Sequence, residues 1–287
     1  MVGLPRCDLD DLGKPQLRKC PFDIDSISWL ERLGGGRDGY CWKVKFGDKG
    51  PFALKLFWDG KRPDFGEGAF ALERECRNAA LLQMMEAAID KGSVVGQPVM
   101  VYANPQEWVD AVDNVRSFST EMHQNPDMLI KHAAEIDMEL RPITSVPRLR
   151  KCYGWISLRG SMLRDLPGPI RPPPVYVERK LTRRVDYGSD ETEHIAIVYE
   201  YVKAGENELA KVQETVCLTA TRTAATPLRG DDKEVLFLDW QVAHIGTAFH
   251  DLAYFVVSML TVDERRTHGM VVLTRTWQRW HAMTAQH

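Results

Sequence analysis

Three short stretches near the amino terminus carry most of the local signal. Residues 27–33 (Ile-Ser-Trp-Leu-Glu-Arg-Leu), 40–46 (Tyr-Cys-Trp-Lys-Val-Lys-Phe) and 52–58 are rich in aromatic and β-branched side chains, with polar residues interleaved. That pattern predicts three strands. Gly47-Asp48-Lys49-Gly50 supplies the turn between the second and third. After a polar loop over 59–68, residues 69–89 are dense in Ala, Leu, Glu and Met and contain neither Gly nor Pro. Their propensity predicts a long helix.

The pattern weakens further along. Helical patches are expected around Trp108 and over 128–138, a strand over 152–158, and a loop over 166–174, which holds five prolines. Residues 194–202 form an apolar run that predicts a buried strand, and 206–216 a helix. The stretch 218–232 has little periodicity. A second buried strand over 235–238 ends in Asp239, and an apolar helix follows over 251–260. Thr261 and Glu264 form a capping box for a last helix, which carries Met270, Leu273, Trp277 and Trp280 on one stripe. Residues 1–24 are polar and proline-containing and predict a flexible arm. The mixture of elements gives an α+β class.

A chain of 287 residues with 44% hydrophobic residues can bury a sizeable core, as one two-lobed domain or two small ones. A net charge of −3 does not announce a nucleic-acid partner. The basic runs 148–151 and 179–184 read as solvated faces, and direct nucleic-acid binding is not expected. The six cysteines form no C-x-x-C pair, which fits reduced thiols in an intracellular protein. With Asp8, Asp10 and Asp11 and no apolar core, the amino terminus is not expected to be a signal peptide, and the most apolar run, 252–260, is too short to span a membrane. The expected location is the nucleus or the cytoplasm.

The chemistry concentrates in Gly34-Gly35-Gly36-Arg37-Asp38-Gly39 and in Ala53-Leu54-Lys55 on the third strand. A G-x-G-x-x-G run can serve a dinucleotide site, but that requires a helix after the glycines, and here a strand follows. A glycine-rich turn between two strands, with a lysine on the next, resembles the amino-terminal lobe of protein kinases. The resemblance implies that Gly34, Gly36 and Gly39 let backbone approach ATP phosphates and that Lys55 supplies their charge. A kinase holds this lysine with a glutamate on the next helix. Glu73 and Glu75 both lie on the predicted helix, on different faces. Glu75 is preferred, because Cys76, Ala79 and Ala80 let that side sit close to a sheet. The stretch Val198-Tyr199-Glu200-Tyr201-Val202 resembles the kinase hinge, where the backbone of Glu200, Tyr201 and Val202 would hold adenine.

Two narrower resemblances follow. Leu236-Phe237-Leu238-Asp239-Trp240-Gln241 and His250-Asp251-Leu252-Ala253-Tyr254 resemble aminoglycoside and choline kinase-type phosphotransferases. That resemblance implies that Asp239 binds magnesium, a role suited to a hard carboxylate, and that Asp251 organises local structure. Residues 33–55, 73–77, 147–155 and 197–202 resemble a fungal kinase-like family that includes the Fta-type subunit of the inner kinetochore. This likeness covers about residues 20–216 and implies protein partners in a kinetochore complex.

A working phosphotransferase also needs a catalytic loop between hinge and metal aspartate, built on H-R-D or H-G-D with a downstream Asn. Between Val202 and Asp239 the chain has no histidine, and its one asparagine is Asn207. Its aspartates there, Asp231 and Asp232, lie too close to Asp239 to form a separate loop. The expectation is therefore a protein-kinase-like two-lobed fold with a truncated carboxy-terminal lobe. It divides into an arm (1–24), an amino-terminal lobe (25–202) with a long insertion (about 90–192), and a degraded helical lobe (203–287). The function expected is that of a pseudokinase binding ATP and Mg, with no catalytic residue assigned. The alternatives are an active small-molecule phosphotransferase and a scaffold that binds no nucleotide.

Overall fold

The computed structural model describes residues 6–62, 70–103, 105, 108–144, 150–178, 181–189, 191–203, 224–229 and 235–242. It divides the chain into two compact units, with the boundary between Val202 and Lys203; 147–149 group with the second. The class is α+β.

The first unit starts with a short helix, α1 (Leu9–Gly13), capped by the Asp8 carboxylate, which accepts from the Asp11 amide. Strands β1 (Ile27–Gly35), β2 (Gly39–Phe46) and β3 (Lys49–Phe57) form an antiparallel meander. The β2–β3 turn is Gly47-Asp48, with Gly47 at φ 55°, a left-handed value that glycine adopts without a Cβ penalty. Helix α2 (Ala71–Val95) follows. An excursion then runs through β4 (Val99–Tyr102), α3 (Trp108–Arg116), α4 (Thr120–Gln124), α5 (Pro126–Glu135) and β5 (Leu140–Ile143), with β4 pairing β5. The chain returns as β6 (Cys152–Arg159) and makes a second excursion through α6 (Gly160–Arg164), β7 (Val175–Glu178) and β8 (Leu181–Arg183). It ends the unit with β9 (Glu193–Glu200).

Five strands join one antiparallel sheet in the order β1-β2-β3-β9-β6. Alternation along each strand sorts the side chains between two cores. On one face Trp42, Val44, Leu54, Leu56, Leu158 and Val198 pack with Leu163, Leu166 and Val185 from the second excursion. On the other, Ala53, Phe57, Ile197 and Tyr199 meet Leu72, Ala79 and Ala80 of α2. The small residues let the helix lie close to the sheet. The carboxy-terminal half of α2 packs Met84, Ala88 and Ile89 against Val99, Val101 and Phe118. Gly96 ends the helix at φ 70°.

Two expectations change. Residues 6–24 are not a flexible arm. Leu12, Leu17 and Cys20 are buried, and the backbone around Lys19 bridges Trp155 through Cys20 N–H to Trp155 O (2.8 Å) and Trp155 N–H to Arg18 O (3.0 Å). The few apolar residues of this polar segment are spaced to plug gaps rather than to show a period. The stretch 90–192 is likewise not one insertion, because β6 interrupts it as an edge strand of the main sheet.

The second unit is described as one antiparallel hairpin, β10 (Ala224–Arg229) with β11 (Val235–Val242). Strand β10 falls in the stretch expected to lack periodicity. The helices expected over 206–216, over 251–260 with Asp251, and after Thr261 lie outside the described residues. Among the described residues no helix is long and apolar enough to cross a membrane.

Candidate functional site

The β1–β2 hairpin narrows to a tip at Gly36-Arg37-Asp38. Gly36 N–H donates to Gly39 O (2.9 Å), and the tip is tied down by the residue that follows β3: the Trp58 indole donates to Gly36 O (2.9 Å) and Trp58 N–H to Asp38 O (3.1 Å). Trp58 also meets Tyr40 edge-on at 6.1 Å. The amides of Arg37 and Asp38 have no partner among the described residues.

The three glycines named from the sequence have three different reasons to be glycine. Gly34 sits at φ 124°, which strains any other residue. At Gly39 a Cβ would run into the Leu56 carbonyl oxygen, so close strand pairing requires its absence. At Gly36 a Cβ would meet nothing within 4 Å, and no backbone constraint applies. Neither packing nor conformation accounts for Gly36, which leaves open space over a bare stretch of backbone.

Lys55 projects from β3 towards α2. Its Nζ lies 2.6 Å from Glu75 Oε2, and both side chains are largely buried, at 15% and 6% exposure. The other oxygen, Oε1, accepts from the Tyr199 hydroxyl at 2.6 Å. Each carboxylate oxygen thus has a strong donor, as a buried charge requires. Glu73 points elsewhere and pairs with Arg62 at the surface. The Lys55 ammonium also lies 5.1 Å from the Phe57 ring centroid.

Tyr199 is buried. Burial, and then the adjacent Glu75 carboxylate, push its phenol well above the usual value, so it stays a neutral donor. The Arg150 guanidinium stacks 4.0 Å over its ring. Two thiols line the same region. Burial raises both Cys76 and Cys152 to about 12, so neither is a nucleophile at neutral pH.

At Glu200 the sheet ladders end. Its N–H donates to Lys151 O (2.8 Å), and Lys151 N–H donates back to its Oε2 (3.3 Å). Tyr201 and Val202 continue without ladder partners. Lys43, on β2, places its Nζ 4.4 Å from the Tyr201 ring centroid. Cross-strand pairs Cys41↔Lys55 and Lys43↔Ala53 set these side chains in adjacent rows.

The structure therefore gathers Gly34, Gly36, Gly39, Lys55, Glu75, Glu200, Tyr201 and Val202 in the first unit. Asp239 belongs to the second. It does not end its strand: β11 continues to Val242, because Trp240, Gln241 and Val242 keep an extended chain. Regular pairing does stop at Leu238↔Thr226, with an irregularity before Val242↔Ala224. Among the described residues no three His, Cys, Asp or Glu side chains converge as a metal would require. Sequence reasoning missed Tyr199 as the second partner of Glu75. The available signal was a hydroxyl inside an otherwise apolar run. It also missed Trp58, whose indole anchors the glycine tip. No family model matches the chain, and no curated protein does.

Proposed function

We propose that the first unit is a kinase-like nucleotide-binding lobe and that the protein acts by binding, without efficient phosphotransfer. The observation that carries this reading is the buried Lys55–Glu75 ion pair beside a hairpin whose tip has an unexplained glycine and two bare amides. Sheet order supports it: a meander of three strands, a helix, and two further strands added as β9 then β6 is the arrangement a kinase amino-terminal lobe requires.

The residues fit an adenine nucleotide in three ways. The Arg37 and Asp38 amides form a small cradle for phosphate oxygens. Lys55, held at one ammonium hydrogen by Glu75, keeps donors for an α- or β-phosphate. Beyond Glu200, the backbone of Tyr201 and Val202 is open to the edge of a purine, with Ala53 small enough to leave room for its face. Bound ATP would supply a transferable γ-phosphoryl group. The residues of the first unit would bind and orient it; magnesium is assigned to Asp239 on the sequence resemblance alone.

Transfer is a different matter. The sequence from 203 to 238 offers no H-R-D or H-G-D triplet, and positioned general-base catalysis contributes roughly 10²- to 10⁴-fold. Electrostatic grip on the phosphates does not depend on that loop. As partner we propose a protein of an inner-kinetochore complex, on the sequence resemblance of residues 20–216. The test is thermal stabilisation by Mg-ATP together with a labelled γ-phosphate assay over proteins, sugars, choline and aminoglycosides. Stabilisation without transfer is expected. Turnover near one per second, lost in Asp239→Asn, would mean that the protein is an active phosphotransferase.

A further inference from the structure

Helix α2 has a second working face, turned away from Lys55. Phe70, Arg74, Arg77, Asn78 and Leu81 recur at the three- and four-residue spacing that puts them on one side of the helix. With Leu12 and Pro15 of the amino-terminal segment, and with Arg62 and Glu73, they line an open cleft of about 350 Å³. Among the described lining residues three arginines stand against one glutamate, and that glutamate is taken by Arg62. Neither Arg74 nor Arg77 has an ion-pair partner among the described residues.

Arg74 adds an independent sign. Its Nε is buried and makes no hydrogen bond. A buried donor without an acceptor is unfavourable. The same side chain lines the cleft. The first turn of α2 opens into the same place. Its N-cap is Phe70, which offers no side-chain acceptor, so the leading amides add positive potential.

The walls argue against a bare inorganic anion. Leu12, Pro15, Phe70 and Leu81 present apolar surface beside the guanidinium groups. A small ion would leave that surface wet. A short peptide with carboxylates next to a bulky apolar side chain would cover both. We propose that this cleft docks an acidic peptide segment of a partner protein, with Arg74 and Arg77 gripping its carboxylates and Leu12, Phe70 and Leu81 receiving its apolar side chain. The site does not depend on nucleotide.

The test is to pan a random heptapeptide phage library on the full chain, with the Arg74→Glu/Arg77→Glu variant as counter-target. The enriched sequences should carry Asp or Glu beside Leu, Ile or Phe. A fluorescein-labelled copy should bind the parent, weaken as salt rises, and lose at least about tenfold in affinity in the double variant. Because the double reversal could disturb folding, Arg77→Gln is measured beside it. Arg77 is exposed, and this change should weaken the peptide while leaving the thermal midpoint unmoved. The proposal is overturned by no enrichment over the counter-target, by enriched peptides without acidic excess, or by affinity unchanged in Arg77→Gln. It is also overturned if inorganic phosphate alone stabilises the parent through these arginines while no peptide is selected. Mg-ATP binding should be the same in parent and Arg77→Gln, which separates failure here from failure of the nucleotide reading.

Discussion

The two faces of the five-stranded sheet both bury apolar side chains, but only one of them also buries charge. One is an apolar interior in which Trp42, Val44, Leu54, Leu56, Leu158 and Val198 are enclosed, with the indole N–H of Trp42 satisfied by Ile170 O at 2.9 Å. The other carries an ammonium, a carboxylate and a phenol under one helix. The first face uses its surface for burial alone. The second keeps an apolar core against α2 but sets a satisfied polar cluster within it, which costs desolvation and is often no more stable than a hydrophobic replacement. Two faces of one sheet, built by the same strands, thus differ in kind: one is apolar throughout, and the other sets a paired charge and a phenol among its apolar contacts.

The sharpest way to break this comparison is at its apolar side. Trp42→Ala should cost about 3–5 kcal/mol through lost burial and a residual cavity, read by urea denaturation. The surviving folded fraction should bind nucleotide as the parent does. Next in size is the ion pair. Lys55→Met leaves a buried, half-partnered carboxylate, and the cost should be about 3 kcal/mol. Adding Glu75→Gln to it should restore much of that loss, and a double-mutant cycle measures the coupling. If the two losses simply add, the pair is not the unit described here.

Smaller again is Tyr199→Phe, which removes one donor from a buried carboxylate and should cost about 1–3 kcal/mol. It also has a pH signature. The phenol's value is raised on folding, so its contribution is whole below about pH 10, the unfolded value, and is lost as pH rises through the folded value. Cys76 and Cys152, raised from 9.0 to about 12, act in the same direction from pH 9 upward. Alkaline unfolding should therefore be steep in the parent and shallower in Tyr199→Phe, with the thiol part retained. An identical alkaline limb in the two proteins would place Tyr199 outside the cluster's energetics. The smallest stability effect belongs to Gly36→Ala, within about 0.5 kcal/mol, since its Cβ enters open space. Gly39→Ala, whose Cβ meets the Leu56 carbonyl, should be clearly destabilising.

Much of the sheet was legible because β2, β3 and β9 are strong patterns: aromatic and β-branched residues in short runs, bounded by Gly47-Asp48 or by polar loops. The 25-residue α2 was legible from propensity, although it runs to Val95 and not to residue 89. Strands β4, β5, β7 and β8 have four residues or fewer, too short for a period to show. The packing of Leu12, Leu17 and Cys20 was hidden for another reason, since isolated apolar residues in a polar segment carry no periodicity. At the site, the glycines, Lys55 and Glu75 stood out by type and spacing. Tyr199 did not, because its role depends on which face of β9 meets α2, and only pairing across the sheet fixes that.

The most direct test of the central claim is equilibrium titration of the full chain with radiolabelled ATP in magnesium, run on the parent and on Gly36→Val. The account predicts saturable binding by the parent. It also predicts that Gly36→Val keeps the parent's thermal midpoint but binds at least about tenfold more weakly, as a branched side chain blocks the backbone from the phosphates. Absence of parental binding at millimolar ATP, or equal binding by the two proteins, would contradict it.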